Sequence, residues 1–188
     1  MSSATQAPMV RERQAPLRSI YREDAARAWV VDHACIESRD LQDPFHGTVR
    51  FGSVSTAEAA YAVHGALGGT HDGPVPGDLL CAALASCQES SVRMVSNVYG
   101  VRLTALKVDV QAGVDVRGTL GMDAKVPVAF QWLRVDVHLR VGSGTPADRL
   151  KQVIKAAERS CVVLQTLRLG VPVSVTFDAC PDADALPA

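Results

Sequence analysis

No CxxC pair occurs in this chain of 188 residues, although it carries five cysteines, Cys35, Cys81, Cys87, Cys161 and Cys180. An odd count without close pairing suits neither a secreted disulfide framework nor a structural zinc site. Neither sign of charge dominates: 19 Lys+Arg stand against 20 Asp+Glu, for a net charge of -1. Without a basic field nothing holds a phosphate backbone, so no nucleic-acid partner is expected. No apolar run approaches the roughly 20 residues that span a bilayer, so no membrane partner is expected either. Met1 to Ala15 lacks the apolar core of a secretory signal. The expected location is therefore the cytoplasm. His33 and Cys35 would share one strand face, but further ligands at metal spacing are missing. Neither a metal nor another cofactor is expected.

What is present is a foldable composition, 47% hydrophobic and 21% charged, which excludes a disordered chain. The length suits one domain that buries roughly 70% of its unfolded surface. The expected organisation is a flexible extension over 1–18, a single domain over 19–178 and a loose tail over 179–188. Met1 to Pro16 is rich in Ser, Gln, Pro and Arg and reads as mobile. Ile20 to Ala28 reads as a short helix with Ser19 as N-cap. Trp29 to Glu37, Thr48 to Gly52 and Ala60 to Ala66 read as strands. The Gly- and Pro-rich run Gly68 to Gly77 forbids regular structure.

From Asp78 to about Tyr99 apolar residues recur at helical steps: Leu80, Leu84, Cys87, Ser91, Met94 and Val98. Gly100 follows as a C′ glycine. Leu106, Val108, Val110, Ala112, Val114 and Val116 then alternate with polar residues, the mark of a half-buried strand. Val126 to Val141 reads as its return, with a phase change that calls for a bulge near Trp132 and Leu133. After Thr145 and Pro146, Leu150, Ile154, Ala157, Cys161 and Leu164 form a second helical face. Val171 to Phe177 alternates as a last strand. The order predicts an α+β fold with antiparallel sheets packed around central helices.

Cys87 and Cys161 each lie mid-stripe on one main helix, so packing those helices together would bring the sulfurs close. Two readings stand: small core hydrophobes, or a reactive pair. Cys35, Cys81 and Cys180 have no such counterpart.

The run Pro76-Gly77-Asp78-Leu79-Leu80-Cys81-Ala82-Ala83-Leu84-Ala85-Ser86-Cys87 resembles the central helix of the OsmC/Ohr family, which carries a P-E-x-L-L-x-A-A-L-A-x-C pattern. Glu158-Arg159-Ser160-Cys161, followed by Leu164 and Leu167, resembles that family's second cysteine segment. The resemblance spans roughly Trp29 to Phe177. It implies an intertwined homodimer and thiol-dependent reduction of organic hydroperoxides. Cys87 would be the attacking thiolate and Cys161 the resolving thiol, with a small or protein dithiol as reductant. Arg39 best matches the family Arg that supports the thiolate. Two positions depart from the pattern. Gly77 stands where the family has Glu, and Val162 stands where many members have Pro. Asp78 is adjacent but turned about 100° around the helix. His71 and Asp78 are the candidates for contacting substrate, with Asp72 beside them; turn chemistry is the alternative role for His71 and Asp72. The rival functions are an OsmC-fold protein with weak or no peroxidase activity, acting as a redox sensor or apolar-ligand binder, and a thiol–disulfide exchange protein. The missing CxxC argues against the last.

Overall fold

A 23-residue helix, α2 (Pro76–Val98), organises the chain, and its ends follow from local chemistry. Pro76 opens it, where the missing N–H is no loss. Asp78 Oδ2 accepts from the Val75 N–H at 2.9 Å, closing the first turn. Gly100 (φ 65) ends it. The Gly100 N–H donates to Asn97 O at 3.1 Å and the Val101 N–H to Ser96 O at 2.8 Å, a paired closure that needs a left-handed residue.

The computed structural model describes residues 8–52 and 57–178. Before α2 come α1 (Met9–Glu23), a 3-10 turn (Ala25–Ala28), β1 (Ala34–Ile36), β2 (His46–Phe51), β3 (Glu58–Ala62) and a second 3-10 turn (Gly65–Leu67). After it come β4 (Leu103–Gly113), β5 (Trp132–Val141), α3 (Ala147–Ser160) and α4 (Val162–Leu169). β1, β2 and β3 form one antiparallel sheet in that order, and β4 and β5 form a second. Val108 faces Val137 and Val110 faces Val135 across the second sheet, so one row of β-branched side chains turns toward the helices. α2 packs against β4, α3 and α4, whereas the first sheet makes no extensive contact with the helices. The core is small: Leu84 and Val92 of α2, Val153 and Ala157 of α3, with Val101 and Cys161, and apart from these Val49 of β2, Ala62 of β3 and Val75. This is the α+β arrangement expected.

Several local expectations are corrected. Residues 9–16 are helical rather than mobile, and Ser19 lies inside α1 instead of capping a helix. Arg, Glu, Gln and Leu are good helix formers, and the end of α2 holds the segment. The Val10 N–H donates to Asn97 Oδ1 at 2.9 Å, and Arg11 Nη2 donates to Val98 O at 3.2 Å. β1 is three residues long, not nine. β5 begins at Trp132, so no bulge is needed there. Gln131 donates to Pro127 O and Ala129 O and accepts from the Asp115 N–H, closing a loop of turns before the strand. The irregularity in that pair lies instead between Leu103 and Ala105. The second main helix is two, α3 and α4, separated at Cys161 (φ -77, ψ 103). Gln165 Nε2 donates to Glu158 O at 2.9 Å and so satisfies a carbonyl freed at the break. Residues 171–178 belong to no strand and are exposed throughout, because within the single chain they meet no strand edge. Residues 1–7 and 179–188, with Cys180, lie outside the described residues.

Candidate functional site

Successive residues of a helix are about 100° apart, so Leu84, Gln88, Ser91 and Val92 share one side of α2, and all four are buried. Cys87 stands at the edge of that side and is half-buried. The buried face is thus turned from the expected one: Met94 is 43% exposed, while polar Gln88 is inside. On the facing element, Val153 and Ala157 set the inner side of α3, and the chain then leaves the helix at Cys161. That residue is 0% exposed.

The two sulfurs come together. Burial pushes the Cys161 thiol above its ordinary value, and the Cys87 thiol beside it pushes the same way. The N–H groups of Leu164 and Val163, at the start of α4, pull in the opposite direction, although the sulfur makes no capping hydrogen bond there. No bond joins the pair: Cys35, Cys81, Cys87 and Cys161 are all free. The geometry therefore sets a half-buried thiol beside a fully buried one whose neutral form is favoured by burial.

The other sequence candidates sit elsewhere. Arg39 is on an exposed loop and pairs with Glu58 of β3 at 3.6 Å. Asp78 caps α2, and its charge acts on Cys81, whose thiol is raised first by burial and then by that carboxylate. His71 has φ 53 and tilts its ring against His64, with centroids 4.3 Å apart. Asp72 joins a cluster that sequence reasoning missed. His46 Nδ1 lies 2.7 Å from Asp43 Oδ2, and its Nε2 lies 3.0 Å from Asp72 Oδ1 and 3.1 Å from Thr70 Oγ1. Hydrogen bonds to Asp43 and Asp72 raise His46 above its ordinary value. Asp43 is held down by the Phe45 N–H and His46, and Asp72 by the Thr70 hydroxyl and His46. This cluster ties the loop before α2 to the start of β2. No local motif announces it, since Asp43 and Asp72 are 29 positions apart.

A second missed residue is Phe130. A Cβ built at Gly77 would stand 3.1 Å from Phe130 Cζ. The ring covers the position where the resemblance leads one to expect a Glu side chain. Around it Val75, Val110, Val114 and Val116 line an apolar cavity that also reaches Asp78 and Cys81. Among the described residues, no group of three or more His, Cys, Asp or Glu is placed to hold a metal. No helix among them is long and apolar enough to cross a membrane.

The sequence profile described as OsmC-like protein matches residues 69–176, which is 108 of the 188 residues. No curated protein matches the chain. Solved structures do. An organic hydroperoxide resistance protein OsmC from Legionella pneumophila is 19% identical, with a TM-score of 0.54 over 74% of this chain and 90% of that one. An OsmC like protein from Mycoplasma pneumoniae is 14% identical, with a TM-score of 0.56 over 76% and 89%. An organic hydroperoxide resistance protein from Elizabethkingia anophelis is 17% identical, with a TM-score of 0.54 over 76% and 91%. At these identities the likeness establishes the fold.

Proposed function

The chain belongs to the OsmC-like protein family, and from that premise we propose that it reduces organic hydroperoxides through Cys87 and Cys161. The observation that carries the reading is the half-buried Cys87 thiol beside the fully buried Cys161 thiol. The Cys87 thiolate attacks the terminal peroxide oxygen, breaking the O–O bond. The alkoxide leaves and takes a proton as the alcohol, and Cys87 becomes a sulfenic acid. Cys161 then displaces hydroxide from that sulfur; with the thiol proton this leaves as water, and a disulfide forms. An external dithiol reduces the disulfide and is itself oxidised. A reducing cytoplasm supplies such dithiols. The difference in burial supports this order of events. Cys161 is closed to the oxidant and held protonated, so it resolves rather than attacks.

The working unit in this reading is a homodimer. Trp29, Val31, Val173 and Phe177 are each 79% exposed or more, a surface a second copy would cover. In the same reading Arg39, whose ion pair with Glu58 is solvent-exposed, supports the Cys87 thiolate within the dimer rather than within one chain. His71 and Asp78, on the loop and first turn leading into α2, contact the substrate.

A second reading, a family member with weak or no turnover that reports oxidation, is favoured by one observation. Phe130 covers Gly77 where the family's Glu would be. Reduced protein treated with cumene hydroperoxide and dithiothreitol tests both. Turnover with paired loss of two thiols supports the peroxidase, and one stoichiometric oxidation without turnover supports the sensor. Cys161→Ser should lose one thiol and trap the sulfenic acid. Wild-type consumption by Cys87→Ser would reject both.

A further inference from the structure

We propose that the cleft between α2, β5, α3 and α4 binds a small neutral aliphatic molecule carrying one O–H group, which donates to the Gln88 amide oxygen. The cleft has a volume of about 510 Å³, within the roughly 300–1,000 Å³ usual for small-molecule sites. Leu84, Val92, Val135, Val137 and Val153 make its walls apolar. Gln88 interrupts them. It is 5% exposed, and its Oε1 has no hydrogen-bond partner. An orphaned buried acceptor is costly and rare. The terminal torsion of Gln is broad, so the amide can turn its oxygen to a donor entering the cleft.

The lining selects the ligand class. Ordered water needs two to four polar partners, and these walls offer an isolated acceptor. A peptide would bring a series of backbone groups with nothing to pair them. A charged head finds no counter-ion, because Glu158 and Arg168 at the mouth already pair with each other at 2.7 Å. A neutral apolar body with a single donor satisfies the orphaned Gln88 oxygen and matches the apolar walls. Neither Cys87 nor Cys161 lines the cleft, so this binding stands or falls separately from the thiol chemistry.

Calorimetric titration of the full chain with octan-1-ol and its isomer heptyl methyl ether, which has no O–H, tests the site. The alcohol should bind one per chain and about tenfold more tightly, the usual net worth of a hydrogen bond. Gln88→Leu should abolish that preference, keep the ether affinity and melt no lower than wild type, since it removes the orphan. Leu167→Trp, at the exposed mouth, should weaken both ligands without disturbing the core. Cys87→Ser should bind as wild type does. Equal binding of alcohol and ether, a preference that survives Gln88→Leu, or no binding at all overturns the proposal. So does binding that fades as protein concentration rises, because the cleft would then be the seat of a second copy.

Discussion

Gly77→Glu restores in one step the residue the family pattern calls for, yet the structure predicts that this change alone fails. Gly77 sits at the second position of α2, where a side chain would ordinarily gain about 0.4–1 kcal/mol over glycine. A carboxylate there gains about 0.3–1 kcal/mol more from the helix N-terminus. Against both stands the Phe130 ring, with Cζ 3.1 Å and Cε1 3.7 Å from the new Cβ. Forcing atoms into occupied space costs about 1–3 kcal/mol. Phe130 is half-buried on a loop, so its give keeps Gly77→Ala within about 1 kcal/mol of wild type. The longer Glu must displace the ring entirely, which cancels its gains. Phe130→Ala removes the obstacle, so the two changes should couple favourably by about 1–2 kcal/mol, inside the range for residues in contact. For a chain of this size that is roughly 2–8 °C in melting temperature. The assay is a double-mutant cycle by thermal unfolding, with hydroperoxide turnover measured on the same four proteins. Turnover should rise in the double variant and not in Gly77→Glu alone. Additivity within about 0.5 kcal/mol, or a full gain from the single change, would refute the reasoning.

Two further outcomes follow from the same contacts. Cys161 stands at the N-cap of α4, so Cys161→Ser places a favoured capping hydroxyl there and should be about 1 kcal/mol more stable than Cys161→Ala, roughly 2–4 °C in melting temperature. An alanine variant that melts at or above the serine variant would show that those N–H groups are not presented to the side chain. His46, raised by Asp43 and then by Asp72, holds its loop best when protonated against ionised carboxylates. Its stabilisation is complete below the ordinary histidine value of about 6.5 and is lost as pH climbs through the raised one. The carboxylates, held low, contribute above about 3.9 and lose that contribution as pH falls through their lowered values. An NMR titration should place the His46 midpoint above that of a free histidine, falling back in Asp43→Asn and less so in Asp72→Asn. Midpoints indifferent to both substitutions would dismiss the cluster as a charge clamp.

Much of this was legible because it is local. The Gly-Pro run, the Pro at the head of α2 and Gly100 at its foot fix that helix to within two residues of the expected span. Cys87 and Cys161 were expected to meet from one main helix each, and they do, although Cys161 stands at the break between α3 and α4 rather than mid-helix. What escaped is set by distance along the chain. His46 meets Asp72 only because β2 and β3 pair, and Phe130 meets Gly77 only because the loop before β5 folds back. Polar residues misled in both directions. Gln88 and Ser96 lie off the expected apolar face of α2 and are buried, while the polar stretch 9–16 read as mobile and is helical because α2 offers Asn97 and Val98 as acceptors. The break at Cys161 has no Gly or Pro to mark it. A helix can end wherever a side chain such as Gln165 takes over a freed carbonyl.

The broad apolar circumference of α2 then has a physical explanation. A surface helix shows one apolar stripe, but α2 serves three separate environments. Leu84, Gln88 and Val92 form a wall of the cleft toward α3 and β5. Gly77, Asp78 and Cys81 belong to the Phe130 cavity. Cys87 lies between them, next to the sulfur of Cys161. The low-dielectric flanks that raise Cys81 and Cys161 act by excluding water, and exclusion of water disfavours a thiolate. In the proposed peroxidase the cation beside the attacking sulfur of Cys87 is Arg39 of a second copy, since within one chain Arg39 pairs with Glu58. Sulfenate trapping on Cys161→Ser, compared between wild-type Arg39 and Arg39→Gln, measures that support: the Gln variant should trap more slowly at neutral pH and recover as pH rises. Equal rates at every pH would mean that Cys87 ionises without Arg39, and the argument for its delivery by a second copy would fail.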